Sequence, residues 1–244
     1  MEGDVLRRAV AEFVGTFTLV FVGVSSIITV GDVTGVALAH GLAIAVMVSA
    51  VGHISGGHFN PAITLAFLIT RRMAPLLAAV YWVAQFAAAT AGALMVKVIF
   101  PGNVVDRAKL GAPAVASVVG NGGALAMEAV LTFFLVWVVF ATAADARGTF
   151  KSIAGLAIGL TITMDILAGG RVTGAAMNPA RAFGPEVVQR VWANAWVWYA
   201  GPMLGVVVAG LAYEYLYLRP LAPAPVGPPE TGLDEPRPGE TAVS

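Results

Sequence analysis

Apolar residues run almost unbroken through six stretches of the chain, roughly 9–30, 34–52, 75–99, 124–144, 152–169 and 194–218. Each is near the ~20 residues that a helix needs to cross a bilayer. The pattern predicts six membrane-spanning helices. The opening "MEGDVLRR" leads into a full-length apolar stretch, so it reads as the start of a span and not as a cleavable signal. Two shorter apolar pieces, 61–69 and 179–188, stand apart because each follows the start of an Asn-Pro-Ala triplet. At about 10 residues, neither can cross a membrane. Asn60 and Asn178 sit where a helix cap belongs, and Pro61 and Pro179 occupy a first helical position that needs no backbone N–H. Each piece is predicted to be half a helix.

The polar interruptions repeat. Residues 52–67, "GHISGGHFNPAITLAF", and residues 170–184, "GRVTGAAMNPARAFG", each carry a glycine-containing lead into Asn-Pro-Ala. Upstream, "AEFVGTFTLVFVG" (11–23) and "MEAVLTFFLVWVV" (127–139) each open a long apolar stretch with an embedded glutamate. Glu12 precedes Asn60 by 48 residues, and Glu128 precedes Asn178 by 50. Three spans separate the two starts, so the second copy enters the membrane from the opposite face. The repeats, roughly 9–99 and 124–218, read as an inverted pair within one transmembrane unit, 1–218. In such chains the functional site is expected where interrupted helices meet near the midplane. That geometry predicts a pore.

Composition sharpens the class. Hydrophobic residues make up 58% of the 244 positions and charged residues 11%, against about 25% charged in soluble domains. Net charge is zero, which gives no sign of a nucleic-acid partner. Cysteine is absent, which excludes disulfides and thiolate chemistry. The three histidines, His40, His53 and His58, are too few for most metal centres, so neither a metal nor a cofactor is expected. Positive charge favours cytoplasmic loops. Arg7, Arg8, Arg71, Arg72, Arg147, Lys151 and Arg219 fall on one side of a six-span chain. Arg107, Lys109, Arg171 and Arg190 fall on the other, offset in part by Asp106 and Glu186. Both termini are expected in the cytoplasm. Residues 219–244 hold seven of the fourteen prolines and too little apolar surface to fold, which predicts a disordered cytoplasmic tail. Ala, Val, Gly and Arg are abundant and lysines number three, which points to a prokaryotic plasma membrane.

Irregular backbone at membrane depth survives only where it is buried in protein or lines a cavity. Gly56, Gly57 and Gly174 would let loop carbonyls face a file of waters. Asn60 and Asn178 would present amide N–H donors at its centre while their oxygens cap the half-helices. Two helix N-termini pointing there, each carrying roughly +0.5 charge, oppose cations, hydrated protons included. Arg181 directly follows the second triplet, where a charge must face water, a partner or, by snorkelling, an interface. Glu12 and Glu128 invite a proton-relay reading, but acceptors for the N–H groups of the nearby loops describe them better. His58, bracketing the first loop with His53, is expected to line the cytoplasmic vestibule or to hold the loop. Asp145 and Asp165 are read as structural or solvated. Gly15, Gly92, Gly159 and Gly205 suit close helix crossings.

The paired "HFNPA" and "MNPAR", the matching "AEFVGTF" and "MEAVLTF", and "WYAGPMLG" near the end resemble the aquaporin (major intrinsic protein) family over residues 9–218. The resemblance implies an all-α membrane protein, a right-handed bundle of six transmembrane helices plus two half-helices, with one water-filled pore per protomer of a homotetramer. It also implies an outer aromatic/arginine filter. Arg181 matches its arginine, and spacing from the triplets carries the other positions onto His40, Ile166 and Ala175, lying twenty before Asn60 and twelve and three before Asn178. Strictly water-selective members usually have phenylalanine in place of His40 and histidine in place of Ile166. The set resembles the plant tonoplast branch, whose members often also pass ammonia, urea or peroxide. Ala182, where glycerol-conducting members usually have aspartate, and the pair Trp198–Tyr199 match the water class.

The expected function is a passive channel that conducts water in single file and excludes protons and ions, with ammonia or other small neutral solutes as further permeants. A secondary transporter is the alternative, since such proteins also use inverted repeats and broken helices. An ion channel is opposed by Arg181 and the two positive helix ends. No nucleophile–base pair or phosphate-binding loop suggests an enzyme.

Overall fold

The computed structural model describes residues 2–147 and 153–219. Lys151 and the expected tail beyond Arg219 lie outside the described residues. Within them the chain forms nine α-helices and no strand. The first half contains α1 (Glu2–Thr29), α2 (Val33–Ser55), α3 (Pro61–Ile69) and α4 (Pro75–Ile99). A short α5 (Gly102–Arg107) and a 3₁₀ turn, Lys109–Gly111, belong to the link. The second half contains α6 (Asn121–Val139), α7 (Ala154–Gly169), α8 (Pro179–Gln189) and α9 (Val197–Tyr213). π-helical turns, Phe140–Ala144 and Glu214–Leu218, extend α6 and α9.

With those extensions, α1, α2, α4, α6 and α9 are long and apolar enough to cross a membrane. Helix α7, with 16 residues, is shorter than the expected 152–169. At about 1.5 Å per residue it covers about 24 Å of a hydrocarbon layer near 30 Å thick. Its C-terminal end closes at Gly169, where the chain turns back toward the middle of the bundle. Helix α1 begins well before its apolar stretch. Arg8 Nε donates to Asp4 Oδ2 at 2.8 Å one turn away, which supports a polar first turn.

The packing has a two-fold logic. Helix α1 packs along α4, and α6 packs along α9. The half-helices cross over: α3 lies mainly against α9 of the second half, and α8 lies mainly against α4 of the first. Helices α2 and α7, equivalent in the two halves, pack against each other along the middle. Exchanging the halves leaves this pairing unchanged.

Close approach depends on small residues. A Cβ on Gly159 would fall on the Gly41 carbonyl oxygen, and one on Gly41 would strike Thr163, so α2 and α7 meet backbone to backbone. Gly92 faces the α1 backbone at Phe17, with the Phe17 carbonyl oxygen 3.1 Å from a Cβ built there. Gly205 faces α6 at Ala129 and Phe133, and Gly15 leaves room for the Phe59 ring. These contacts fix the frame around the two short helices.

Candidate functional site

Each half-helix is entered by the same irregular path. In the first lead, Gly56, Gly57 and Phe59 have φ of 92°, 65° and 49°. In the second, Gly174, Ala175 and Met177 have φ of 84°, 44° and 50°. Counted back from the asparagine, the left-handed residues occupy the same three positions. Left-handed backbone is unfavourable for residues with a Cβ, so something must hold Phe59, Ala175 and Met177 there.

Buried glutamates hold Phe59 and Met177, while Thr173 Oγ1 accepts from the Ala175 N–H at 3.1 Å. Glu12 accepts from the backbone N–H groups of His58 (2.9 Å) and Phe59 (2.6 Å), and from Ser55 Oγ (2.7 Å) and Gln85 Nε2 (2.8 Å). Glu128 accepts from the N–H groups of Ala176 (3.0 Å) and Met177 (2.8 Å), and from Thr173 Oγ1 (2.6 Å). Trp198 Nε1 donates to the Thr173 carbonyl at 2.9 Å, bracing the second lead from α9. Ser55, Gln85, Thr173 and the Trp198 contact were not singled out from sequence. Ser55 and Thr173 did carry a signal, since each lies five residues before its asparagine.

The half-helices meet tip to tip. Asn60 caps α3, its Oδ1 accepting from Ala62 N–H at 2.8 Å, and Asn178 caps α8 through Ala180 and Arg181 N–H at 3.0 and 3.2 Å. Their amide nitrogens cross between the halves. Asn60 Nδ2 donates to the Met177 carbonyl and Asn178 Nδ2 donates to the Phe59 carbonyl, both at 2.9 Å. Each amide keeps a second N–H, and both asparagines line a central cavity. Pro61 and Pro179 occupy first helical positions, and Pro61, Ala62, Pro179 and Ala180 are buried behind the tips.

Three cavities follow one another along this axis. The central one, about 30 Å³, is lined by Leu19, Ile44, Ile63, Leu135, Ile158 and Ile162 together with the polar tips. At about 10–15 Å³ per water centre, that volume suits a file and not a bulk-filled hole. An outer cavity of about 300 Å³ shares Ile166 and Arg181 with it. An inner cavity of about 440 Å³ shares His58 with it. His58 Nδ1 lies 3.1 Å from Thr64 Oγ1, and its ring rests against Phe67 and Tyr81, with centroids 4.6 and 5.3 Å away. His53 is exposed at the inner mouth.

At the outer junction His40, Ile166, Ala175 and Arg181 all line the central cavity. Arg181 Nη1 donates to the Gly111 carbonyl at 3.2 Å, and Nη2 lies 3.4 Å from His40 Nε2. His40 Nδ1 lies 2.8 Å from the Val36 carbonyl. A carbonyl can only accept, so Nδ1 carries the proton and Nε2 offers Arg181 a lone pair. The guanidinium is thus held from two sides, and among the described residues it is the one fixed charge lining the central cavity.

Some residues lie elsewhere. Glu186, expected to offset loop charge, is buried inside α8 and accepts from Tyr199 Oη at 2.8 Å. Asp165 is buried in α7 with no hydrogen-bond partner for either carboxyl oxygen, and it does not line the cavities described above. Asp145 ends the π turn of α6 and is gripped by Arg147. Among the described residues no group of three or more His, Cys, Asp or Glu side chains is arranged to hold a metal.

Comparison with known proteins fits this geometry. The family description "Major intrinsic protein" matches residues 2–213. The chain is 43% identical over 232 residues to Probable aquaporin TIP3-2 of Arabidopsis thaliana, covering 88% of this chain and 85% of that one. It is 41% identical over 226 residues to Aquaporin TIP4-4 of Zea mays, covering 87% of each. To Aquaporin-4 of Mus musculus it is 39% identical over 218 residues, covering 85% of this chain and 66% of that one. Among solved structures, the aquaglyceroporin from Plasmodium falciparum superposes with a TM-score of 0.78 at 24% identity, covering 88% of this chain and 98% of that one, and so shares the fold. The chain belongs to the major intrinsic protein family.

Proposed function

We propose that the chain is a passive membrane channel that conducts water in single file, excludes protons and ions, and also passes ammonia or similar small neutral solutes. The reciprocal bonding of Asn60 and Asn178 beside a 30 Å³ cavity carries this reading. A water at that point meets two N–H donors, two positive helix ends and apolar walls. It donates poorly to its neighbours there, which breaks the hydrogen-bonded wire a proton would need. The aquaporin relatives support water as the principal permeant.

Within this reading His40, Ile166, Ala175 and Arg181 form the outer filter. The guanidinium repels cations, and Ile166 makes one wall apolar. Gly56, Gly57, His58 and Gly174 belong to the loops along the path, while Glu12 and Glu128 hold those loops and do not form a proton relay. Residues 1–218 form one transmembrane unit of two repeats, roughly 9–99 and 124–218, and 219–244 form a cytoplasmic tail. Both termini face the cytoplasm, as the loop charges suggest. A homotetramer follows the family resemblance alone, since the exposed apolar stripes on α2 (Leu38, Leu42, Val46) and α7 (Leu156, Leu160, Leu167) suit lipid as well as a second copy. The protein is an integral membrane protein. A prokaryotic plasma membrane rests on composition alone, and the plant and mouse relatives lend it no support.

Asp165 is the observation that favours the transporter alternative, because a buried, unpartnered carboxyl is what ion coupling uses. It lies off the path, so the channel reading stands ahead. Stopped-flow light scattering of proteoliposomes decides. Osmotic shrinkage well above that of empty liposomes, and independent of a proton or sodium gradient, is expected. Shrinkage no faster than that of empty liposomes, from folded protein, refutes the channel.

A further inference from the structure

The 3₁₀ turn between α5 and α6 carries an unusual backbone. Lys109, Leu110 and Gly111 are consecutive left-handed residues, with φ of 46°, 50° and 67°. Leu110 is fully buried, among Val20, Val24, Ala89, Ala93, Val96, Val105 and Ala180. A lone exposed loop would relax such residues to ordinary φ, since each opposes its own Cβ. Here the leucine is driven into a pocket built by α1, α4 and the start of α8. Ala180 of that pocket immediately precedes Arg181.

The consequence lies one residue further on. The Gly111 carbonyl accepts from Arg181 Nη1 at 3.2 Å. A Cβ on Gly111 would stand 2.9 Å from the movable tip of Ile27, and the φ of 67° there strains any residue that carries one. Backbone held in a sparsely populated region by its surroundings is a recurrent feature of positioned groups. Hydrogen bonds within the turn, Gly111 N–H to the Ala108 carbonyl (2.9 Å) and Ala112 N–H to the Lys109 carbonyl (2.9 Å), fix the direction of that carbonyl.

We propose that Leu110 is a positioning residue for the outer filter, anchoring a left-handed clasp whose Gly111 carbonyl fixes the Arg181 guanidinium and so sets the width of the passage. The proposal rests on the filter reading of Arg181. His40 binds one side of the guanidinium and the clasp binds the other. Loss of the clasp frees the side chain to swing about the His40 contact, and larger neutral solutes then pass.

The test compares urea and water permeability in the same proteoliposomes. Leu110→Ala removes the anchor. Leu110→Val keeps apolar bulk but β-branching opposes positive φ. Gly111→Ala attacks the carbonyl's own residue. All three are expected to raise the urea-to-water permeability ratio at least about threefold. Leu110→Met, unbranched at Cβ and of similar volume, restores the wild-type ratio. A merely structural role would lower both permeabilities together and leave their ratio alone. If Leu110→Ala does not fold, the other two substitutions decide by the same ratio. An unchanged ratio in folded variants overturns the clasp. Failure of the wild type to conduct water would instead refute the channel reading, so the two failures are distinguishable.

Discussion

Asn60 and Asn178 show how one side chain can serve two purposes. Each oxygen satisfies helix N–H groups, and each amide nitrogen ties the opposite half while keeping one donor for the lumen. The glutamates behind them work through hydrogen bonds. Glu12 receives four donors, and each donor left buried without a partner costs about 1–3 kcal/mol. Glu12→Ala is therefore expected to lower stability by on the order of 4 kcal/mol or more. Denaturant unfolding in detergent measures this, and a loss under about 1 kcal/mol would contradict the scaffold role. At the proposed filter, His40→Phe replaces the acceptor of Arg181 by an apolar ring. Ammonia and urea permeability should fall about tenfold, and more than water flux does. Unchanged solute permeability would remove His40 from the filter.

Elements meet here through glycine. Gly159→Leu would drive a side chain into the Gly41 carbonyl and Ala45, separating α2 from α7. A cost of about 3 kcal/mol or more is expected, read as loss of the folded peak on size-exclusion chromatography. A wild-type elution profile and melting point would contradict the close crossing. At the end of α6, hydrogen bonds and charge from Arg147 hold the Asp145 carboxyl down to about 2. The folded value lies below the unfolded one, about 3.9, so this contribution is whole above pH 4 and fades as pH falls toward 2. Arg147 is half exposed, which keeps the effect modest. Asp145→Asn should be less stable than wild type at pH 7, and the gap should close in acid. A gap that persists at pH 2 would point to packing. The spans and half-helices are legible in the sequence because length and Pro position decide them. Helix α5 and the turn after it are not. The six residues of α5, "GNVVDR", carry no periodic signal, and the Gly111 carbonyl in the turn is backbone with no residue signature.

At the scale of the molecule, two inverted halves bring like groups to one point. The inversion is legible because Glu12 and Asn60 recur as Glu128 and Asn178 at nearly the same spacing, with three spans between the two starts. The third dimension of the filter is less so. The family resemblance, carried over by offset from the triplets, implies His40, Ile166 and Ala175, but the side from which Arg181 is held depends on where the link folds. With no cysteine, the lumen has no thiol for mercury to cap. Water flux should be insensitive to mercurials, and inhibition reversed by a thiol reagent would contradict this. The central claim, that water passes and protons do not, is tested most directly by measuring both in one preparation. Vesicle shrinkage should report water permeability well above empty liposomes, while an entrapped pH dye under a proton gradient should report proton entry at the empty-liposome rate. Proton entry rising in step with channel density would contradict the account.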